Sequence, residues 1–156
     1  MIALGVDPGQ TGGLASVEIR DGVPFLRGAM RMPLLTAKSK VTLDARKFLD
    51  FVEPNSTAVI ENVHAMPKQG VSSSFQFGRM FGAIEACCYE SCERVTYVEP
   101  GTWKRKLGLG AVKQASRDLA SRTFGQDMGK KFWPLAKDDG VAEAALIAYY
   151  HLKSLT

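Results

Sequence analysis

The stretch that decides the fold is residues 1–20, MIALGVDPGQTGGLASVEIR. An apolar run at 2–6 leads directly into Asp7, a turn rich in glycine follows at 8–13, and a second apolar run occupies 14–19. This pattern predicts a strand, a tight turn and a second strand. A carboxylate at the end of an apolar strand is costly unless it is paired. Asp7 therefore either caps its own turn or holds a cation.

The size and composition of the chain are those of one soluble domain. It has 156 residues, of which 46% are hydrophobic and 23% charged, and we expect a single domain over 1–156. It contains no apolar run near the ~20 residues of a membrane span and no signal-peptide pattern, so we predict a cytoplasmic protein without a membrane partner. A net charge of +4 favours a polyanionic partner.

Apolar periodicity along the rest of the chain predicts alternating strands and helices. Further strands are predicted at 23–32, 56–60 and 95–98. One helix is predicted to begin after Thr42 and to end before Pro54, and others at 75–90, 100–107, 111–123 and 141–152. Loops are predicted at 33–40, 62–74 and 125–136. Three antiparallel strands followed by alternating strands and helices are typical of an α/β fold with a mixed sheet and helices on both faces.

Four carboxylates are candidates for one site. Asp7 and Glu61 each end an apolar strand, and parallel neighbouring strands place such ends at the same sheet edge. Asp139 and Glu143 lie four residues apart and share a helix face, although acids at a helix start also complement its dipole. Oxygen ligands suit Mg²⁺ or Mn²⁺, and two such ions would promote phosphodiester hydrolysis.

These motifs resemble one family of nucleases. The residues that carry the resemblance are Asp7-Pro8-Gly9 with Thr11-Gly12-Gly13, Ile60-Glu61, and Asp139 with Ala142-Glu143-Ala144. Together they resemble the RuvC-like Holliday junction resolvases of the RNase H-like superfamily, and the form Asp-Gly-x-Ala-Glu-Ala is most similar to the phage and prophage branch. The resemblance covers nearly the whole chain. It implies a five-stranded mixed sheet, a homodimer, and magnesium-dependent cleavage of four-way DNA junctions.

The resemblance also assigns catalytic acids. Three of the family's acids have counterparts here, namely Asp7, Glu61 and Glu143, the last standing where aspartate is usual. The position of the fourth acid holds Gly140. Asp139 is the expected substitute because it shares the face of Glu143, and Asp138 is the alternative.

Basic and small residues complete the predicted site. The resemblance implies phosphate contacts at Lys104 and Lys113, and a dimer interface that includes Gly78, Arg79 and Gly82. The loop after Glu61 is placed to reach DNA, so we add Lys68 and Gln69, together with Arg117 on the basic helix, to the predicted DNA-binding residues. Trp103, Phe75 and Phe77 are predicted to be core residues.

Three other functions compete with a junction resolvase. The same acids would serve an RNase H-like nuclease that acts on RNA–DNA hybrids or other structured nucleic acid. A non-catalytic junction-binding module is a second alternative, although it predicts a missing acid. The glycine turn after Asp7 also resembles the phosphate loop of actin-like ATPases and sugar kinases, which need two such domains.

Overall fold

The computed structural model describes residues 1–38, 40–64, 70–110 and 113–156, with the backbone only at Lys113. The strands are β1 Ile2–Asp7, β2 Gly13–Arg20, β3 Val23–Arg31, β4 Leu34–Ala37, β5 Lys40–Leu43, β6 Ser56–Glu61 and β7 Arg94–Val98. The helices are α1 Ala45–Phe51, α2 Val71–Ser91, α3 Pro100–Lys106, α4 Lys113–Phe124, α5 Gln126–Phe132 and α6 Asp139–Ser154, with a 3₁₀ turn at Ala136–Asp138. Within these ranges, no helix combines the length and apolar character needed to cross a bilayer.

The main sheet has five strands in the order β3-β2-β1-β6-β7. Strand β1 is antiparallel to β2 and parallel to β6, β2 is antiparallel to β3, and β7 is parallel to β6. This mixed sheet, three antiparallel strands and then parallel ones, confirms the predicted fold class. Because β1 and β6 run in the same direction, with Val6 opposite Ile60, their last residues Asp7 and Glu61 lie at one edge.

Hydrophobic layers cover both faces of the sheet. Successive residues of a strand point to opposite faces, so Ala3 packs with α6 and Trp103 in one cluster while Leu4 packs with α1 and α2 in the other. All six residues of β6 are buried, as expected for a central strand covered on both sides. The helices therefore hold β1 and β6, and the acids that end them, in fixed positions.

Helix α6 lies unusually close to β1 and β2 because glycines line the contact. A Cβ at Gly5 would lie 1.9 Å from the carbonyl oxygen of Ala144, and one at Gly13 would lie 2.8 Å from the Cα of Val141. No side chain fits at such distances, so only glycine permits this packing. The close approach brings the first turn of α6 to the edge where Asp7 lies.

Two predicted loops proved wrong. Residues 33–40 contain strand β4, which pairs with β5 in a hairpin, and the helix that follows is capped by Asp44 instead of Thr42. The mostly exposed hairpin lacks the apolar alternation of a core strand, and its turn has Lys38 at φ +55° where glycine is the usual signal. Residues 126–132, within the predicted loop 125–136, form helix α5. Gly129 inside this helix is the residue that favoured a loop.

Gly129 has a packing reason to interrupt a helix pattern. A Cβ there would lie 2.3 Å from Ser121 Oγ, so glycine permits close contact between α5 and α4. Helix α2 also begins earlier than predicted, at Val71 and not at Phe75. Its N-cap is Gly70, and its first turn is rich in serine. Serine runs are typical of loops, yet here they lie inside the helix.

Candidate active site

Three of the predicted acids line one cleft at the carboxyl edge of the sheet. The cleft has a volume of about 420 Å³, and its walls include Asp7, Asp139 and Glu143, together with Lys104 and Ser116. Glu61 is buried behind it, at the end of the strand beside Asp7. The fold thus brings carboxylates from β1, β6 and the first turn of α6 to one place.

Gly140 explains why the fourth acid is displaced. A Cβ at this position would lie 2.4 Å from the carbonyl oxygen of Thr11 and 2.8 Å from Asp7 Oδ2, and Gly140 forms a backbone bridge with Gly12. A side chain of any kind would collide with the β1–β2 turn. Asp139, one residue earlier, is the neighbouring carboxylate that lines the cleft.

Asp7 is held in an environment that disfavours its charge. Burial raises the pKa of Asp7 well above its ordinary value, the carboxylates of Glu61 and Glu143 raise it further, and Lys104 opposes the shift. Like charges brought together in a partly desolvated place favour a proton or a bound cation. The charge of Asp7 is therefore the one in this cleft that a bound cation would stabilise against burial and acidic neighbours.

Glu61 accepts a hydrogen bond from a buried indole. Trp103 Nε1 donates to Glu61 Oε1 at 2.8 Å, and both residues are buried. Burial raises the pKa of Glu61, while the indole hydrogen bond and the charge of Lys104 lower it by a smaller amount. Trp103 is the core residue that the sequence predicted, with an added polar contact that its pattern did not indicate.

Glu143 has two partners that hold its carboxylate. Lys104 Nζ lies 3.1 Å from Glu143 Oε1, and Ser116 Oγ donates to the same oxygen at 3.0 Å. Lys104 therefore reaches the centre of the acid cluster from α3. This basic residue offsets part of the acids' mutual repulsion.

Asp138 and Asp139, left open by the sequence, have different surroundings. Asp139 Oδ1 lies 2.7 Å from Arg117 Nε, and Asp139 lines the cleft. Asp138 is buried, pairs with Arg31 Nε at 2.5 Å and accepts from the backbone N–H of Leu135. Burial alone would raise the pKa of Asp138, but these two contacts outweigh it and hold the pKa below its ordinary value.

The donor chemistry of the shared cleft fits a hard cation, but the carboxylate side chains are not in a ready metal-binding arrangement. Across 1–38, 40–64, 70–110 and 113–156, no three His, Cys, Asp or Glu side chains are grouped closely enough to hold a metal ion. Lys104 and Arg117 lie against two of the acids instead. Oxygen-only ligands and crowded negative charge suit Mg²⁺ or Mn²⁺, provided that these side chains rearrange.

The predicted DNA-binding residues divide into two groups. Lys104 lines the cleft and pairs with Glu143, whereas Arg117 lies outside its lining, pairs with Asp139 and also donates to Gln114. Lys68, Gln69 and the side chain of Lys113 lie outside the described part of the chain, so their roles stay predictions. Since Arg117 is largely buried beside Asp139, it is a counter-ion of that acid in this conformation.

The predicted interface residues lie on the outer face of α2. Gly78, Arg79 and Gly82 are exposed. Phe75, predicted to lie in the core, is instead 65% exposed, whereas Phe77 is half-buried and packs on Phe81 with ring centroids 6.0 Å apart. The helical spacing of Phe75 and Phe77 did not show which of them lies on the face of α2 that packs on the sheet and which on the exposed face.

Glu99 is an acid that the sequence interpretation missed. It directly follows β7, just as Asp7 and Glu61 end β1 and β6, and the motif Val98-Glu99-Pro100 carried that signal. Its carboxylate accepts from Asn62 Nδ2 at 2.6 Å and lies 3.8 Å from His64 Nε2. These contacts tie the start of the loop after β6 to α3.

Solved structures with the same fold identify the architecture. A structure of Thermus thermophilus RuvC matches with a TM-score of 0.67 at 18% identity, covering 100% of this chain and 98% of that one. The chain described here has the RuvC fold. A second structure, T. thermophilus RuvC in complex with Holliday junction substrate, has a TM-score of 0.66 at 16% identity over 99% of this chain and 96% of that one.

The comparisons confirm the resemblance at the level of the fold. No protein-family model and no curated protein sequence matches the chain. At such low identity the likeness to RuvC establishes the architecture, whereas chemistry has to be argued from the site. The phage and prophage branch stays a prediction.

Proposed function

We propose that this protein is a metal-dependent endonuclease that resolves four-way or branched DNA junctions by paired symmetric nicks. The observation that carries the proposal is the convergence of Asp7, Glu61 and Glu143 at one edge of a RuvC-like sheet, with Asp139 lining the same cleft. The RuvC structure with a Holliday junction substrate supports this choice of substrate. Net positive charge is consistent with a DNA partner.

The residues that would hold Mg²⁺ or Mn²⁺ are Asp7, Glu61, Asp139 and Glu143. When bound, two such ions supply charge stabilisation at the attacking water and at the departing oxygen of a phosphodiester. The raised pKa of Asp7, caused first by burial and then by its acidic neighbours, supports a cation site here.

The basic partners of the acids have a role in the same proposal. Lys104 and Arg117 neutralise Glu143 and Asp139 in this conformation. With the acids engaged by cations, Lys104 and Arg117 would be able to contact the phosphates of the DNA backbone instead. The cleft would thereby exchange internal ion pairs for contacts with substrate.

We also propose that the protein acts as a homodimer through α2, because two opposed strands must be cut for symmetric resolution. The outer face of this helix supports the proposal. Val71, Phe75 and Tyr89 are large exposed apolar residues, and Gly78 and Gly82 between them would allow a second helix to approach closely.

The test is cleavage of a labelled four-way junction, a linear duplex and an RNA–DNA hybrid, each with Mg²⁺, Mn²⁺ or a chelator. The proposal predicts paired, metal-dependent nicks confined to the junction. Cutting of the hybrid in preference would assign the same acids to ribonuclease chemistry. Tight junction binding without cleavage under any condition would favour the non-catalytic module.

A further inference from the structure

A buried hydrogen bond beside the cleft joins an indole to one of the candidate metal ligands. Trp103 Nε1 donates to Glu61 Oε1 at 2.8 Å, in a place where Trp103 is fully buried and Glu61 is 4% exposed. A buried indole N–H needs an acceptor, but most acceptors would satisfy it. Here the acceptor is the strand-end acid, and within 1–38, 40–64, 70–110 and 113–156 no side chain donates a hydrogen bond to its second oxygen, Oε2.

The fold places Trp103 there by a short and rigid path. Strand β7 pairs with β6 so that Val98 lies opposite Glu61, and α3 begins two residues later at Pro100. The backbone N–H groups of Thr102 and Trp103 both donate to the carbonyl of Glu99. The indole ring is thereby fixed against the carboxylate by packing and by backbone hydrogen bonds.

The next residue on the same helix serves a second acid. Lys104 Nζ lies 3.1 Å from Glu143 and 5.1 Å from the centroid of the Trp103 ring. One short helix therefore supplies donors to two acids from successive positions. A polar partner that fixes the orientation of a metal-ligating carboxylate contributes to metal affinity without touching the metal.

We infer that Trp103 is a positioning residue, which holds Glu61 by one oxygen so that the carboxylate presents the other to a divalent cation. The inference rests on the proposed metal-dependent function. The indole N–H orients Glu61, and this role is separate from the packing of the indole ring in the core.

The chain offers a matched control in its second tryptophan. Trp133 is also buried, at 2% exposed, and its Nε1 donates to a side-chain oxygen, Ser121 Oγ, at 2.9 Å. Ser121 does not line the acid cleft. The variants Trp103→Phe and Trp133→Phe each remove one buried indole hydrogen bond, and only the first removes a contact to a candidate metal ligand.

The experiment is a titration of the wild type and both variants with Mn²⁺ alone, in which free Mn²⁺ is followed by electron paramagnetic resonance. We expect Trp103→Phe to weaken Mn²⁺ binding by ~10–100-fold and Trp133→Phe to leave it unchanged. Thermal unfolding should show both variants destabilised, because each loses a buried hydrogen bond. Equal Mn²⁺ affinity in folded Trp103→Phe and wild type would overturn the inference alone. Failure of the wild type to bind Mn²⁺ would overturn the proposed metal site as well.

A second measurement does not depend on the folding of Trp103→Phe. In Trp133→Phe, Trp103 is the sole tryptophan, and bound paramagnetic Mn²⁺ should quench its fluorescence with the midpoint found by resonance. Emission that stays constant while Mn²⁺ binds would contradict the placement of Trp103 beside the metal site.

Discussion

Glycines at the contact between α6 and the sheet and glycines on α2 have opposite surroundings. Where α6 crosses the sheet, a Cβ at Gly5 would collide with the backbone of Ala144, and one at Gly140 would collide with the β1–β2 turn. On α2, an added Cβ at Gly78 or Gly82 would meet no described atom within 4 Å. The first set is required by the monomer, whereas the second is free for contact with another molecule.

The difference separates the residues that build the site from those proposed to assemble the protein. Close packing of α6 on β1 brings Glu143 and Asp139 to the edge where Asp7 lies. Nothing in the monomer described here depends on glycine in the middle of α2. If this account is right, substitutions in the two sets will have effects of opposite sign on monomer stability.

The largest expected effect is that of Gly5→Ala. The new methyl group would lie 1.9 Å from a carbonyl oxygen that cannot move without displacing α6. Overpacking typically costs ~1–3 kcal/mol, and a backbone collision belongs at or above the upper end of that range. Urea unfolding followed by circular dichroism measures the loss. A variant as stable as the wild type would show that α6 is not packed as described.

The next effect distinguishes the two neighbouring acids at the start of α6. Asp139→Asn removes a cleft carboxylate, and we expect junction cleavage to fall about 100-fold or more, since loss of outer contacts alone costs ~10–100-fold. The same substitution leaves the largely buried Arg117 without its counter-ion, so stability should fall as well, and cleavage is compared between folded samples. The readout is the initial rate of cleavage at saturating protein.

Asp138→Asn is the matched control for that prediction. It breaks the buried pair with Arg31 and should cost about 2 kcal/mol of stability, less than a fully buried pair because Arg31 is half exposed. Cleavage by the folded fraction should stay near that of the wild type. Loss of cleavage in folded Asp138→Asn, together with normal cleavage by folded Asp139→Asn, would exchange their roles.

The smallest effect is that of Gly78→Ala on the exposed face of α2. Alanine favours a helix over glycine by ~0.8–1.0 kcal/mol, and the structure offers the methyl group open space. We expect a small gain in melting temperature at low protein concentration. Sedimentation at higher concentration should show weaker self-association if α2 is the dimer face. A destabilised monomer would place Gly78 in the first set of glycines.

Much of the fold could be predicted because its signals are local. Strands β1, β2, β6 and β7 are apolar runs bounded by turn residues, and the strand-end positions of Asp7 and Glu61 follow directly from them. The errors fall where local signals are weak or misleading. The β4–β5 hairpin is partly exposed and lacks a core pattern. Helix α5 contains Gly129, which is needed for close contact with Ser121.

The positions of the acids could be predicted from the sequence, but the side chains that pair with them could not. Convergence of Asp7, Glu61 and Glu143 follows from strand order and helix phase, which sequence patterns carry. The pairing of Glu61 with Trp103, or of Asp138 with Arg31 across 107 positions, depends on tertiary geometry that no local pattern contains. For the same reason the sequence could not choose between Asp138 and Asp139.

The most direct test of the acid cleft as the active site compares the wild type with Asp7→Asn on a labelled four-way junction in Mg²⁺. Asparagine preserves the size of the side chain but removes the charge at the centre of the cluster. We expect Asp7→Asn to bind the junction about as tightly as the wild type and not to cut it. Normal cleavage by a folded Asp7→Asn variant would contradict the assignment of this cleft as the active site.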